Sequence, residues 1–275
     1  MIGLIPVKTD STGRFIVRVL TLNLNGIRSA ARKGFFAWLE SVDADFVCLQ
    51  EVRAQTDQIT DSLYWPAAFH CVYHSPERKG YSGVAIFARR TPSKIIRTIG
   101  HPVIDDEARW LEFRFPKLSV VSLYLPSGSS GQPRQDLKMD CLGFLTDHLA
   151  ALARRRSPTI ICGDFNIAHT VRDIRNWRSN QKNSGFLPEE RAWLDQTFDR
   201  RRWVDSFREL EQPEHSYTWW SNRGQAYTNN VGWRLDYQIV SKSLRDRVTR
   251  THIHTEPRFS DHAPYIVDYD IEPPQ

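Results

Sequence analysis

Residues 158–170 read PTIICGDFNIAHT, and this stretch indicates the architecture of the chain. The run 160–162 is apolar on both sides of the backbone, which is typical of a strand buried between two packed layers. The strand then ends abruptly in Asp164, and Asn166 follows two residues later. Layered folds gather their functional side chains in such strand-end loops, so we expect a site here.

Eight further segments share this strand-like character, because they are short, rich in β-branched and aromatic residues, and mostly bounded by Gly, Pro or Asp. They are 14–24, 45–50, 69–74, 83–88, 109–115, 118–125, 235–241 and 264–269. Apolar residues at helical spacing predict helices after Pro133, from Pro188, and over about 31–40. No long linker divides the chain, so we expect one domain over 16–272, preceded by a leader over 1–15.

Composition excludes several classes of protein. The chain has 275 residues, of which 40% are hydrophobic and 25% charged, so it is neither disordered, collagen-like nor a coiled coil. No apolar run approaches the roughly 20 residues of a membrane helix. The four cysteines form no CxxC pair, which argues against a zinc site or a disulfide framework. We therefore expect a cytoplasmic protein without a membrane partner.

The chain carries an excess of positive charge, with 37 Lys and Arg against 32 Asp and Glu, for a net charge of +5. Dispersed basicity suits a polyanionic partner. The two tight arginine runs, 154–156 and 200–202, follow helical patterns. They are equally consistent with phosphate contacts and with favourable charges at helix C-termini.

Acids, amides and one histidine follow the apolar strands along the whole chain. Their oxygens are hard ligands suited to Mg²⁺ or Mn²⁺, and a histidine beside an acid suits proton transfer or stabilisation of negative charge. Taken singly, Asn25 could form a turn, Asp164 a helix cap and Asp236 a partner for Arg234. A short echo between 22–26 and 163–168 also hints at two similar halves. The acids, amides and histidine that follow the strands are Asn23, Asn25, Gln50, Glu51, Asp164, Asn166, Asp236, Asp261 and His262.

The ordered motifs resemble those of the exonuclease III-type apurinic/apyrimidinic (AP) endonucleases. LQE and SDH recur across the wider deoxyribonuclease I-like superfamily of nucleases and phosphatases, whereas the other motifs together are specific to its DNA-repair branch. The resemblance covers about residues 16 to 270. It rests on LNLNGIR (22–28), LQEVR (49–53), GYSGVAIF (80–87), YLPSG (124–128), GDFNIAHT (163–170), FLPEER (186–191), YTWW (217–220), VGWRLDYQIVS (231–241) and SDHAPY (260–265).

The resemblance implies an α/β fold: a four-layer αββα sandwich of two face-to-face mixed β-sheets flanked by helices. It also implies Mg²⁺-dependent hydrolysis of the phosphodiester 5′ to an abasic site, together with 3′–5′ exonuclease and 3′-phosphodiesterase activity. One or two ions would act, with Mn²⁺ as a possible substitute. The implied substrate is double-stranded DNA with abasic sites or 3′ ends, and we expect a monomer.

The resemblance also implies roles for the metal-binding positions. Glu51 matches the metal-binding acid, Asn23 a neighbouring site residue, and Asp261 a second potential metal ligand. Asn25 falls where some members carry a second carboxylate, which implies a metal held a little less tightly.

Five positions match the residues that act on the scissile phosphate. Tyr124 matches a tyrosine that touches the phosphate, and Asn166 an amide that orients it. Asp164 matches the acid that handles a proton on the water or the leaving group. Asp236 matches the acid that holds the histidine, His262.

The resemblance also implies a pocket for a flipped-out sugar. Trp219, Trp233 and Leu235 match the apolar residues that surround a deoxyribose without a base, although with nine tryptophans in the chain core packing is the competing interpretation. Ser184 is small and would leave the pocket mouth open.

Two features concern contacts with the DNA backbone. Arg28 and Arg53, beside their motifs, are candidate phosphate contacts. The chain departs from the family at Ser127, where an asparagine that reaches the DNA phosphate usually stands. This departure puts the balance of activities in doubt rather than the chemistry. The alternatives are a 3′-end-processing exonuclease with little AP activity, a phosphatase of the same superfamily, and a non-catalytic DNA-binding relative.

Overall fold

The computed structural model describes residues 8–199 and 202–274. Within these ranges, fourteen strands, β1 to β14 in chain order, occupy Val17–Asn23, Phe46–Gln50, His70–His74, Val84–Ala88, Lys94–Ile96, Trp110–Phe115, Leu118–Tyr124, Thr159–Asp164, Trp203–Asp205, Trp219–Trp220, Gly232–Trp233, Asp236–Ser241, Val248–Ile253 and Tyr265–Tyr269. The α-helices, α1 to α6, occupy Ile27–Arg32, Phe35–Val42, Pro102–Asp106, Gln132–Leu152, Trp177–Asn180 and Pro188–Asp199. Short 3₁₀ helices occupy Thr56–Gln58, Ser62–Tyr64, Val171–Asp173, Ser206–Glu209 and Lys242–Arg247.

The strands form two mixed six-stranded sheets and a separate two-stranded hairpin. The first sheet has the order β13-β14-β1-β2-β4-β3 and the second β5-β6-β7-β8-β12-β9, while β10 pairs with β11. Only the central pairs β1–β2 and β7–β8 are parallel among the described strands. Each of the nine predicted strand segments contains one of these strands.

Three apolar clusters separate four layers of secondary structure. One cluster lies between the sheets and draws on both of them, for example Cys48 from β2 and Cys162 from β8. A second packs α1 and α2 on the outer face of the first sheet, and a third packs α4 and α6 on the second sheet. The four-layer αββα sandwich is therefore confirmed, and it explains why the central strands are apolar on both faces.

Two of the predicted helices are confirmed, and the third is wrong in its extent. Helices α4 and α6 lie where the pattern predicts them, and both carry Pro in the first turn. The predicted helix over 31–40 is instead the end of α1 and most of α2. Gly34 interrupts it with a φ of 87°, a left-handed conformation that no continuous right-handed helix contains.

Strand register brings the predicted polar residues to one edge of the sandwich. Tyr124 on β7 pairs with Asp164 on β8, and Asp164 pairs with Asp236 on β12, so three site residues stand side by side. On the other sheet, Asn23 pairs with Gln50. The amide of Asn23 donates to the Asp164 carboxylate at 2.9 Å and so joins the two sheets.

The described part of the predicted leader folds back on itself and contacts the segment just before β2. Thr9 and Phe15 form an antiparallel bridge, and the Lys8 ammonium pairs with Asp45 at 3.1 Å. Residues 1–7 of the predicted leader lie outside the described residues. The division into a leader and one domain stays a prediction. None of the helices described here has the length and apolarity that crossing a membrane requires.

Candidate active site

A cleft of about 780 Å³ opens at the edge of the sandwich where β1, β2, β7 and β8 end and β12 begins. Of the predicted site residues, it is lined by Glu51, Tyr124, Ser127, Asp164, Asn166, Ser184, Trp219, Trp233, Leu235, Asp261, His262 and Arg53. Asn23 and Asp236 are fully buried beneath it and bond to residues of the lining. Arg28 is not brought into the lining; its side chain is exposed on α1.

His262 and Asp236 form a buried pair at the floor of the cleft. The Nδ1 atom of His262 lies 2.8 Å from the Asp236 Oδ2 atom. Burial lowers the pKa of His262, but the negative charges of Asp236 and Asp164 outweigh this effect and raise the pKa to about 10. The imidazole is therefore a cation at neutral pH. It offers a donor, Nε2, toward the cleft side of the site.

Asp164 lies on the other side of His262, with its Oδ2 atom 3.8 Å from the histidine Nε2. The carboxylate accepts hydrogen bonds from the Asn166 backbone N–H at 2.8 Å and from the Asn23 amide at 2.9 Å. Burial raises the pKa of Asp164 to about 7, against the opposing charge of His262. A carboxyl group with a pKa near neutrality can both accept and return a proton at physiological pH.

Glu51 lies beside Tyr124 at the end of the neighbouring sheet. Its carboxylate accepts from the Asn23 amide at 2.8 Å and pairs with Arg53. Burial and the charge of Glu51 raise the pKa of the Tyr124 phenol well above its usual range. Tyr124 is therefore a neutral hydrogen-bond donor over the whole physiological range.

Asp261 completes the charged wall of the cleft. It accepts from the Asn25 amide at 2.9 Å, from the Ser260 hydroxyl at 3.0 Å and from the Trp219 indole N–H at 3.1 Å. Burial would raise the pKa of Asp261, but the charge of His262 and these hydrogen bonds lower it. Asp261 therefore keeps its negative charge while holding the Trp219 ring in place.

An acidic cluster in this site has the spacing of a metal centre. Asp164, Asp236 and His262 each offer a ligand atom, and these atoms lie within 4.8 Å of one another. In the imidazolium form, however, both nitrogens of His262 are donors, and neither can bind a cation. The hard oxygens of Glu51 and Asp261, which also line the cleft, suit a divalent cation better.

An apolar pocket adjoins the charged groups. The Trp219 and Trp233 rings meet edge to face with centroids 6.2 Å apart, and Leu235 packs in the same small cluster. Gly185 lies next to the Trp233 ring and has a φ of 92°. A Cβ atom at this position would stand 3.2 Å from the ring. Ser184, before it, lines the same cleft.

Two strand ends show the same local geometry, as the sequence echo suggests. The Asn25 N–H donates to the Asn23 side chain at 3.0 Å, and the Asn166 N–H donates to the Asp164 side chain at 2.8 Å. Asn25 and Asn166 both have positive φ, 46° and 51°. Left-handed backbone at non-glycine residues costs free energy and concentrates at functional sites.

Three features of the site have no clear signal in the sequence. Arg109 is 1% exposed and lies behind Tyr124, with its guanidinium 4.5 Å from the tyrosine ring centroid. Thr218 lies within the quoted YTWW motif, and its hydroxyl accepts from the N–H groups of Leu235 and Asp236 at 3.0 and 3.1 Å. Lys182 and Arg223 add positive charge to the cleft lining. Ordinary surface arginines and lysines look the same in a single sequence.

Comparison with known proteins places this geometry in a family. The family model described as the endonuclease/exonuclease/phosphatase family matches residues 20–262. An exodeoxyribonuclease of Bacillus subtilis is 35% identical over 250 residues, covering 90% of this chain and 97% of the relative. The DNA repair nuclease APEX1 of Danio rerio is 33% identical, covering 93% of this chain and 83% of the relative. A solved AP endonuclease from Archaeoglobus fulgidus, 24% identical, shares the fold with a TM-score of 0.85 over 93% of this chain and 100% of its own.

The chain therefore belongs to the endonuclease/exonuclease/phosphatase family, and within it to the hydrolytic nucleases of the exonuclease III type. The resemblance found in the motifs is confirmed.

Proposed function

We propose that the protein is a Mg²⁺-dependent DNA-repair nuclease that hydrolyses the phosphodiester 5′ to an abasic site. We include 3′–5′ exonuclease and 3′-phosphodiesterase activity in the proposal. The observation that carries it is the position of the Trp219–Trp233 pocket, which opens on the same cleft as His262 and Asp164. A phosphate at His262 would place an adjoining sugar beside these rings.

The reacting phosphate would be bound by three donors. His262 offers its Nε2–H as a cation and Tyr124 its phenol, both from the lining of one cleft. The Asn166 amide donates to the Leu125 carbonyl oxygen at 2.9 Å and to Asp164 at 3.2 Å, so it would orient the phosphate by exchanging its bond to Asp164 for one to a phosphoryl oxygen. Negative charge grows on the phosphoryl oxygens during hydrolysis, and fixed donors aimed at that charge lower the barrier. Asp164, with its raised pKa, takes the proton from the attacking water or returns it to the leaving oxygen.

Glu51 is the residue that we assign to the metal ion, with Asp261 and Asn25 as further oxygen donors on the same cleft. Carboxylate and amide oxygens fit Mg²⁺, and Mn²⁺ as a substitute, because both are hard cations. A bound cation would supply positive charge that offsets the anionic phosphodiester. Asp261 suits this role because its pKa is lowered and it stays ionised.

The pocket explains a preference for a sugar without a base. Trp219 and Trp233 form an apolar wall for a deoxyribose, and Gly185 lies against the Trp233 ring. A base on the sugar would add bulk and polar groups at this wall. Flipping a nucleotide out of the duplex costs least where pairing is already lost. An abasic site therefore meets both requirements.

Charged and polar residues around the cleft would hold the DNA backbone. Arg53, Lys182 and Arg223 line the cleft and would contact phosphates of a duplex. Ser127 and Ser184 offer hydroxyls at the mouth, and Arg28 on α1 would reach the backbone outside the cleft. We propose that the protein acts on the duplex as a monomer.

Two labelled duplexes test the proposal, one with a central synthetic abasic site and one undamaged with a recessed 3′ end. Each is incubated with Mg²⁺ or with EDTA, and the products are sized on a denaturing gel. We expect a single Mg²⁺-dependent nick 5′ to the abasic site. A ladder from the 3′ end without a nick would replace the proposal by 3′-end processing. No cleavage of either duplex would overturn it, and phosphatase substrates would then be assayed.

A further inference from the structure

A fully buried ion pair lies directly behind the cleft, between two helices that carry none of the residues assigned above. The Lys138 ammonium on α4 and the Glu190 carboxylate on α6 are 2.6 Å apart, and both side chains are 0% exposed. Removing two charges from water costs much of what their attraction returns, and apolar replacements are often as stable. Stability alone is therefore a weak explanation for this pair.

The ion pair is bonded to the backbone of two cleft loops. Lys138 also donates to the Asn166 carbonyl oxygen at 2.8 Å. The second oxygen of Glu190 accepts from the N–H groups of Gly185 and Leu187, at 2.7 and 3.0 Å. One loop therefore carries the amide proposed to orient the phosphate, and the other packs against Trp233.

The two loops are also bonded to each other. A third loop, at Gly128, contacts a side chain that is bonded to the ion pair. The Ala168 N–H donates to the Gly185 carbonyl at 2.7 Å. Gln135, one turn before Lys138, donates to Glu190 at 3.0 Å. Gln135 also fills the space beside Gly128, where an added Cβ would stand 1.9 Å from its Oε1 atom. All three loops line the cleft, so the side chains of Lys138, Glu190 and Gln135 together fix the separation of the loops.

We propose that Lys138 and Glu190 are positioning residues, which hold the phosphate-orienting loop at Asn166 and the sugar-pocket loop at Gly185 in the geometry that the reaction needs. The inference rests on the proposed function for the roles of these loops. Positioning matters because a misplacement of about 1 Å can cost about 100-fold in rate. A charged pair suits this task, since charged hydrogen-bonding partners hold backbone groups more strongly than neutral ones do.

The test is the double variant Lys138→Met with Glu190→Gln. It keeps the side-chain volumes, leaves no unpaired charge and retains an oxygen for the Gly185 and Leu187 amides, but it removes the bond to Asn166. The matched control is Lys117→Met with Glu272→Gln. That pair is also a Lys–Glu contact, at 3.0 Å, but it is exposed and lies at the opposite end of β7 from Tyr124.

Single-turnover rates and DNA-binding midpoints are measured on the abasic duplex, with urea unfolding of each protein. We expect the rate of the double variant to fall by about 10- to 100-fold. DNA binding should change by less than about twofold, and the control should behave as wild type. A rate equal to that of the control would overturn the proposal, as would a loss of rate explained by the unfolded fraction.

Wild type on the same duplex tests the proposed function separately. If wild type trims 3′ ends without nicking, the comparison is made on the recessed duplex, where the loss of rate is expected to be the same. If the double variant does not fold, hydrogen exchange of wild type decides. The Gly185 and Leu187 amides are expected to be protected, and exchange as fast as in an open loop would contradict the proposal.

Discussion

The charge of His262 is set by its neighbours and not by its burial. Burial alone would leave a neutral imidazole, yet Asp236 at 2.8 Å and Asp164 at 3.8 Å raise the pKa of His262 to about 10. The same burial raises the pKa of Asp164 to about 7. Neighbouring groups with pKa values displaced in this way are suited to separate roles, one as a fixed donor and one as a proton carrier.

Replacing His262 with alanine is expected to lower the cleavage rate by about 10² to 10⁴-fold, because a donor aimed at the phosphoryl oxygens is lost. DNA binding should be largely kept, since the residues proposed to hold the DNA backbone, such as Arg53, Lys182 and Arg223, are unchanged. The rate and the dissociation constant are measured side by side. His252→Ala is the control, because His252 is exposed on the edge strand β13. A His262→Ala enzyme as fast as wild type would show that the site is wrongly assigned.

Glu51→Gln is expected to raise the Mg²⁺ concentration for half-maximal rate by at least about tenfold, since a neutral amide is a poorer ligand than a carboxylate. The substitution keeps an oxygen for the Asn23 amide, so the fold should not change. Rates are measured over a Mg²⁺ titration. Glu40→Gln, at an exposed position on α2, is the control. An unchanged Mg²⁺ requirement would move the metal to another set of ligands.

Nine of the described strands and the helices α4 and α6 are predictable from the sequence, whereas the edge strand β13 and the short strands β5, β9, β10 and β11 are not. A two-residue strand such as Trp219–Trp220 has no period to detect, and only its pairing with Gly232–Trp233 defines it. That hairpin nevertheless carries both aromatic walls of the pocket. The Gly34 break between α1 and α2 escaped prediction because the apolar spacing continues across it.

Trp233→Ala is expected to reduce the preference for abasic sites. The pocket wall beside Gly185 would open, which gives more room to a nucleotide that still carries its base. The rate on the abasic duplex should fall by about tenfold or more, because the sugar is held less firmly. Cleavage at ordinary 3′ ends should fall less. The ratio of the two rates is the measurement, and Trp65→Ala, outside the cleft and 38% exposed, is the control. An unchanged ratio would assign Trp233 to core packing.

At the scale of the whole molecule, a buried charge network behind the pocket joins distant parts of the chain. The Arg234 guanidinium, 1% exposed, donates to Asp173 at 2.6 Å and to Asp205 at 2.8 Å. The sequence alone allows Asp236 as a partner for Arg234, but the structure pairs Arg234 with Asp173 and Asp205 instead. Burial would raise the pKa of Asp173, but the charges of Arg234 and Arg208 lower it from an ordinary 3.8 to about 2.

This network predicts how stability depends on pH. Because the folded-state pKa of Asp173 lies below its unfolded value, its stabilisation is complete above that unfolded value and is lost as the pH falls toward 2. The contribution is about 2 kcal/mol of unfolding free energy. Asp173→Asn should therefore be less stable than wild type at neutral pH, with the difference shrinking between roughly pH 4 and pH 2.

Urea unfolding at several pH values measures this difference. The control is Asp136→Asn, at an exposed position on α4. If the wild-type and Asp173→Asn curves stayed parallel down to low pH, the network would not be the cause.

The sequence predicts the fold, and most of the residues that the structure brings to one cleft, much better than it predicts the buried contacts behind them. Motifs such as GDFNIAHT mark the strand ends, and register then brings Tyr124, Asp164 and Asp236 into line. Arg109 and Lys138 have no signal in the sequence, and the motif YTWW contains Thr218 without indicating its role, because these roles depend on contacts between distant segments. In a single sequence, a basic or hydroxyl residue that faces solvent cannot be distinguished from one that contacts a catalytic loop.

The activity proposed for the cleft is hydrolysis of DNA 5′ to an abasic site. The most direct measurement incubates the protein with a duplex carrying one abasic site and Mg²⁺, sizes the product, and offers the nicked end to a DNA polymerase. Hydrolysis on the 5′ side leaves a 3′-hydroxyl, so we predict one Mg²⁺-dependent nick whose end the polymerase extends. A duplex that stays intact with Mg²⁺, or a nick whose 3′ end cannot be extended, would contradict the claim.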